Sequence, residues 1–173
     1  MYNLKKVLIT FLVFITLIAT SLYFVKSGYA ENTFKDNLKT KIEKFSSLDK
    51  KEQVRVKKII KEKNFNDSYK ISLFLQQNNS LGYAISQHDK IKSVVYGNNI
   101  KQGYDQYKNY FIVYGEKPNI NNKRLEITIN TGYNHDDIVK IISLEEGKYF
   151  LSIDKLPKDI KHSNVYTENF RYN

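Results

Sequence analysis

Nineteen consecutive residues without a charge, Val7 to Val25 (VLITFLVFITLIATSLYFV), constrain this chain more than any other feature. As a helix rising about 1.5 Å per residue, the run measures about 28 Å, close to the roughly 30 Å hydrocarbon core of a bilayer. Lys5 and Lys6 precede it and Lys26 follows it. Membrane insertion is the expected fate. The run exceeds the roughly 7–15 apolar residues of a secretory signal, which favours a retained single-pass anchor. Gly28-Tyr29-Ala30 sets small residues at −3 and −1 of a cut before Glu31, so secretion after cleavage following Ala30 is the alternative. Lys35, Lys39, Lys41 and Lys44 dilute the positive-inside signal of Lys5 and Lys6. A short leader with two lysines rarely crosses, however, and a long domain translocates largely regardless of its charge. The C-terminal part is therefore expected outside the cytoplasm.

The chain divides on this reading into an N-terminal signal anchor or signal peptide over 1–30, one extracytoplasmic α+β domain over 31–154, and a polar tail or edge segment over 155–173. Without any Cys, disulfide frameworks, thiolate zinc sites and a Cys nucleophile are excluded. Lys and Arg number 28 against 18 Asp and Glu; without Lys5, Lys6 and Lys26 the balance is 25 to 18. A basic excess of that size suits polyanionic neighbours. The competing explanation is A/T-rich codon usage, which enriches Lys, Asn, Ile and Tyr.

Phe34, Leu38, Ile42 and Phe45 recur at helical spacing, predicting an amphipathic helix from Glu31 to about Phe45 that continues from the membrane. Asp49 and Glu52 read as a capping box opening a second helix through about Lys63, with Val56, Ile59 and Ile60 as its apolar stripe. The period then becomes two. Strands are expected over Tyr69–Leu75, Leu81–Ser86, Ile91–Tyr96, Asn109–Gly115 and Arg124–Asn130, with Asn109–Gly115 central because it is apolar on both faces. Ile138–Leu144 and Tyr149–Ile153 read as a hairpin turning at Gly147, and a helix over the first of these, opened by Asn134, is the alternative. The fold class is thus α+β: an N-terminal membrane helix, one or two amphipathic helices, then an antiparallel sheet of about five to seven short strands, open or partly rolled.

No spacing in the chain fixes a catalytic constellation. His88-Asp89 and His135-Asp136-Asp137 lack metal-ligand spacing and read as turn residues; His162 stands in the polar tail. There is no GxSxG elbow, SxxK, Walker or GxGxxG pattern. Glu116, Glu126 and Glu145 read as solubilising. No cofactor and no metal are expected.

What stands out is Tyr96, Tyr104, Tyr107, Tyr110 and Tyr114 within nineteen residues, interspersed with Lys101 and Lys108. Exposed tyrosines offer wide contact at little entropic cost. Tyr96, Lys101, Tyr104, Tyr107, Lys108 and Tyr114 are accordingly the expected partner surface. Against it stands the reading that Tyr110 and Tyr114 face the core while Tyr104 and Tyr107 cover a helix. A second basic cluster, Lys50, Lys51, Arg55, Lys57, Lys58, Lys61 and Lys63, reads as a solvated helix face.

The expected function is a membrane-tethered or exported, non-enzymatic binding or accessory module with a basic, Tyr-rich surface. Its expected partners are the membrane, through the N-terminal helix, and a protein or polyanionic ligand, with no nucleic acid. The alternative is a regulatory, assembly or immunity component whose Phe34–Phe45 helix pairs with another membrane protein; a small secreted hydrolase ranks third.

Overall fold

The structure, a computed structural model, describes residues 2–48, 54–130, 138–156 and 166–173. Its class is α+β and mostly sheet: a helix, α1 (Tyr2–Ser47), and ten antiparallel strands in three sheets among the described residues. The chain forms two compact units, residues 1–41 and 42–173.

The first unit is helical throughout its described length. From Val13 to Tyr23 every side chain is exposed, the large apolar ones included. The hydroxyls of Thr16, Thr20 and Ser21 donate back to the carbonyls of Val13, Leu17 and Ile18 at 2.8–2.9 Å, which satisfies them within the helix. Among the described residues no helix is long and apolar enough to cross a membrane. Side chains are described for only Val13–Tyr23 of the apolar run.

The second unit opens on the last turn of α1, where Ile42 is buried and the Glu43 carboxylate accepts a 2.7 Å hydrogen bond from the Val56 amide. The first sheet runs β1 (Val56–Asn64), β2 (Tyr69–Gln76), β3 (Leu81–Gln87), β4 (Lys90–Val95) as successive hairpins. The second has the order β5 (Gln102–Tyr107), β6 (Tyr110–Glu116), β9 (Tyr149–Lys155), and the third β10 (Tyr166–Tyr172), β7 (Arg124–Asn130), β8 (Ile138–Ser143).

The second sheet is the middle layer because β6 is apolar on alternate sides. Ile112 and Tyr114 join Ile71, Leu73, Tyr83 and Ile85 in a core against the first sheet. Phe111 and Val113 join Leu125, Ile127, Ile129 and Ile142 in a core against the third. The expectation of a central strand at Asn109–Gly115 agrees with this placement.

Several expectations need correction. Val56–Lys63 is a strand, β1, not a helix: two register shifts, between Val56 and Lys58 and between Ile59 and Lys61, reconcile its helix-like apolar spacing with pairing to β2. The Asp49–Glu52 box lies outside the described residues. Ile138–Ser143 is a strand as expected, but β8 pairs with β7 and β9 with β6, so no hairpin joins them. Gly147 does take a positive φ of 98°, and its turn carries the chain from one sheet to another. The chain end supplies β10, an edge strand on β7. Among the described residues there are ten strands rather than five to seven, and β5, where Tyr104 and Tyr107 lie, is a strand and not a helix.

Candidate functional site

Three hairpin turns meet at one end of the second unit. His88 and Asp89 form a two-residue turn between the paired residues Gln87 and Lys90, with φ of 46° and 61°; Asp and His tolerate that left-handed conformation better than most residues. Asn66 turns β1 into β2, its side-chain oxygen accepting from the Ser68 amide at 3.2 Å. Lys108, at φ 55°, and Asn109 turn β5 into β6.

These turns gather an aromatic cluster. The Phe65 ring lies 5.7 Å from Tyr69, 6.3 Å from Tyr107 and 5.1 Å from Tyr110, and Tyr69 lies 5.8 Å from Tyr107. The Lys108 ammonium stands 4.2 Å from the Tyr69 ring centroid and also donates to its hydroxyl. That hydrogen bond holds the ammonium's pKa above its ordinary value. Burial, and then the neighbouring Tyr69, push the Tyr107 hydroxyl up.

Tyr69 also walls a hollow of about 440 Å³ shared with Asn64, Asn66, Asp67, Ser68, Lys70, Ser86, His88 and Asp89. One aromatic face with amide, hydroxyl and mixed charged groups suits a polar, hydroxyl- or phosphate-bearing ligand. Among the described residues no group of His, Asp and Glu is arranged to hold a metal.

The six residues of the expected surface do not form one patch. Tyr107 and Lys108 belong to this end. Tyr96 lines a separate hollow of about 200 Å³ with Arg55, Gln76 and Asn78, at the opposite end of the first sheet. Lys101 is exposed just before β5. Tyr104 is 38% exposed and stacks on Phe111, on the other face of the second sheet from Tyr107. Tyr114 is a correction: at 3% exposure it belongs to the core, its ring 5.2 Å from Tyr83 and its hydroxyl 2.7 Å from where a Cβ at Gly103 would stand.

Sequence reasoning missed Phe65 and Tyr69, which reach the cluster from about forty residues away, and it set His88-Asp89 aside as turn residues. They are turn residues, and their turn lines the hollow. His135, Asp136, Asp137 and His162 lie outside the described residues. Glu116 is engaged by Lys148 at 2.9 Å and Glu126 by Arg171 at 3.9 Å. Of the helical stripe, Leu38 and Ile42 are buried and Phe45 is half-buried, leaving Phe34 exposed.

No protein-family model, no curated protein and no solved structure matches this chain.

Proposed function

We propose that this protein is a non-enzymatic binding module, carried out of the cytoplasm on its N-terminal helix, that takes a polyanionic, hydroxyl-rich ligand at the hairpin-turn end of its sheets. The observation that carries the reading is Tyr69, which lines the 440 Å³ polar hollow and carries the Lys108 ammonium over its ring. A cation and an aromatic face side by side attract a phosphate and give the neighbouring sugar-like carbons a surface to lie on. Tethering is supported by the uncharged run Val7–Val25 and by the helix Val13–Tyr23, apolar and exposed all round with its hydroxyls turned back on the backbone.

The test is a titration of the full-length chain in detergent micelles with poly(glycerol phosphate), followed by tyrosine fluorescence, since the chain has 14 Tyr and no Trp. Saturable quenching that weakens with salt and with Lys108→Ala is expected. No quenching, or binding indifferent to Lys108→Ala, overturns the site. Fractionation with N-terminal sequencing tests the tether: Met1 in the membrane pellet is expected, while a soluble cytoplasmic chain overturns it.

A further inference from the structure

We propose that the 200 Å³ hollow beside the β2–β3 turn is a second binding site, for a carboxylate whose neighbouring carbon bears an N–H, the chemistry of a peptide C-terminus or an N-acyl amino acid. The hollow is smaller than the roughly 300 Å³ at which sites for whole small molecules begin, so it suits a small ligand or the end of a chain.

Gln76, which lines it, calls for a donor. This residue is 6% exposed, and its Nε2 donates to the carbonyl oxygens of Gly97 at 3.1 Å and Leu81 at 3.4 Å. Exchanging the amide's nitrogen and oxygen would set an acceptor against two carbonyls, so those carbonyls fix its orientation. Oε1 is then the one polar atom of this buried side chain that has no donor among the described residues. Buried polar atoms are seldom left so, and an acceptor is completed only by an N–H or O–H.

Arg55 calls for an anion. It brings the one charge among the described residues that line the hollow, no Asp or Glu lines it, and its guanidinium has no partner among the described residues. A guanidinium pairs with a carboxylate through two parallel hydrogen bonds. The wall is also held in place before any ligand arrives. The Gln77 amide donates to the Arg55 carbonyl at 3.0 Å, and the Asn78 side chain accepts from the Ser80 amide and donates to Asn98, both at 3.0 Å. A bare anion would satisfy Arg55 and leave Gln76 Oε1 unpaired, whereas a carboxylate with an adjacent N–H answers both groups, and Tyr96 offers a ring for the apolar substituent.

The probe is the peptide Gly-Ala-Ala, dye-labelled at its N-terminus and titrated by anisotropy into the full-length chain in detergent micelles. Saturable binding is expected, weakened about tenfold by Arg55→Gln and lost when the peptide's carboxylate is amidated. An ester analogue, with oxygen in place of the last N–H, should bind severalfold more weakly; this tests Gln76 without altering the protein. Lys108→Ala should leave binding unchanged, so this site and the 440 Å³ hollow stand or fall separately. Displacement by N-acetylalanine as efficient as by unlabelled peptide would identify the free acyl amino acid as the source and weaker displacement the chain end, and either upholds the chemistry. Absence of binding, equal binding of the amidated peptide or the ester analogue, binding indifferent to Arg55→Gln, or displacement by acetate as efficient as by N-acetylalanine would each overturn the proposal.

Discussion

The hydroxyl of Tyr83 donates a 2.5 Å hydrogen bond to the Asp105 carboxylate, joining β3 of the first sheet to β5 of the second. Tyr83 is buried, its ring edge-on to Tyr114, and the other Asp105 oxygen accepts from the Gln106 amide at 2.6 Å. A phenol is thus spent inside the core to fix the register of two layers. Tyr83→Phe keeps the ring and leaves the carboxylate without its donor. A loss of roughly 1.5–3 kcal/mol in urea unfolding is expected, the range for a hydrogen bond to a charged group.

The same pair sets an alkaline limit. Burial first, and then the Asp105 carboxylate, hold the Tyr83 hydroxyl protonated well above its ordinary range, and burial pushes Tyr114 up to about 12. The unfolded chain releases both protons near pH 10, so the folded state binds them more tightly. Their contribution is complete below pH 10; the share of Tyr114 is lost as pH rises through about 12, and that of Tyr83 goes on falling beyond it. Unfolding free energy measured from pH 8 to 12 should fall above pH 10, and Tyr83→Phe should make the fall shallower.

At the acid end Glu145, in the loop between β8 and β9, makes a small contribution. Lys61 at 2.7 Å and Lys63 at 2.6 Å hold its carboxyl down at about 2, against 4.5 unperturbed. Its folded pKa is depressed, so the contribution is present above pH 4.5 and is lost as pH falls toward 2. The carboxylate is 54% exposed, and solvent screening limits the effect to under about 1 kcal/mol. Glu145→Gln should flatten the acid limb of the unfolding curve by that amount.

The strands that could be read from sequence are those whose side chains state their surroundings. NYFIVYG is apolar on both faces and became the middle strand of the middle sheet; RLEITIN alternates and has one face wet. β1 was misread because Val56, Ile59 and Ile60 fit a helix, and only bulges imposed by pairing with β2 make them a strand. Gly147 announced its turn correctly but not that the turn changes sheets, since strand partners are chosen by long-range packing. The same limit hid the candidate site. Tyr107 and Lys108 are local, whereas Phe65 and Tyr69 reach them only once the two sheets pack.

Lys117 is a buried lysine held by carbonyls. Its ammonium donates to the main-chain oxygens of Ile120, Asn122 and Glu145 at 2.9, 3.2 and 3.1 Å, pinning the β6–β7 turn to the loop after β8. Lys117→Met fills the space but leaves three carbonyls without that donor. A loss of roughly 2–3 kcal/mol is expected by urea denaturation, together with faster amide exchange between residues 118 and 122.

Gly82 and Gly147 are both intolerant of a side chain, for opposite reasons. A Cβ at Gly82 would stand 2.6 Å from the Phe74 ring and 2.8 Å from the Val95 carbonyl oxygen. That oxygen belongs to the neighbouring strand and cannot withdraw without breaking the sheet. Gly147 has nothing within 4 Å of such a Cβ, yet its φ of 98° is one that L side chains rarely adopt. Gly82→Ala should cost roughly 1–3 kcal/mol through overpacking, and Gly147→Ala roughly 1–2 kcal/mol through backbone strain. Asparagine separates the two causes, because it accepts left-handed conformations but is larger than alanine. Gly147→Asn should therefore recover part of the loss measured for Gly147→Ala, while Gly82→Asn should lose more than Gly82→Ala. Equal behaviour of the two asparagine variants in urea midpoint would contradict this assignment.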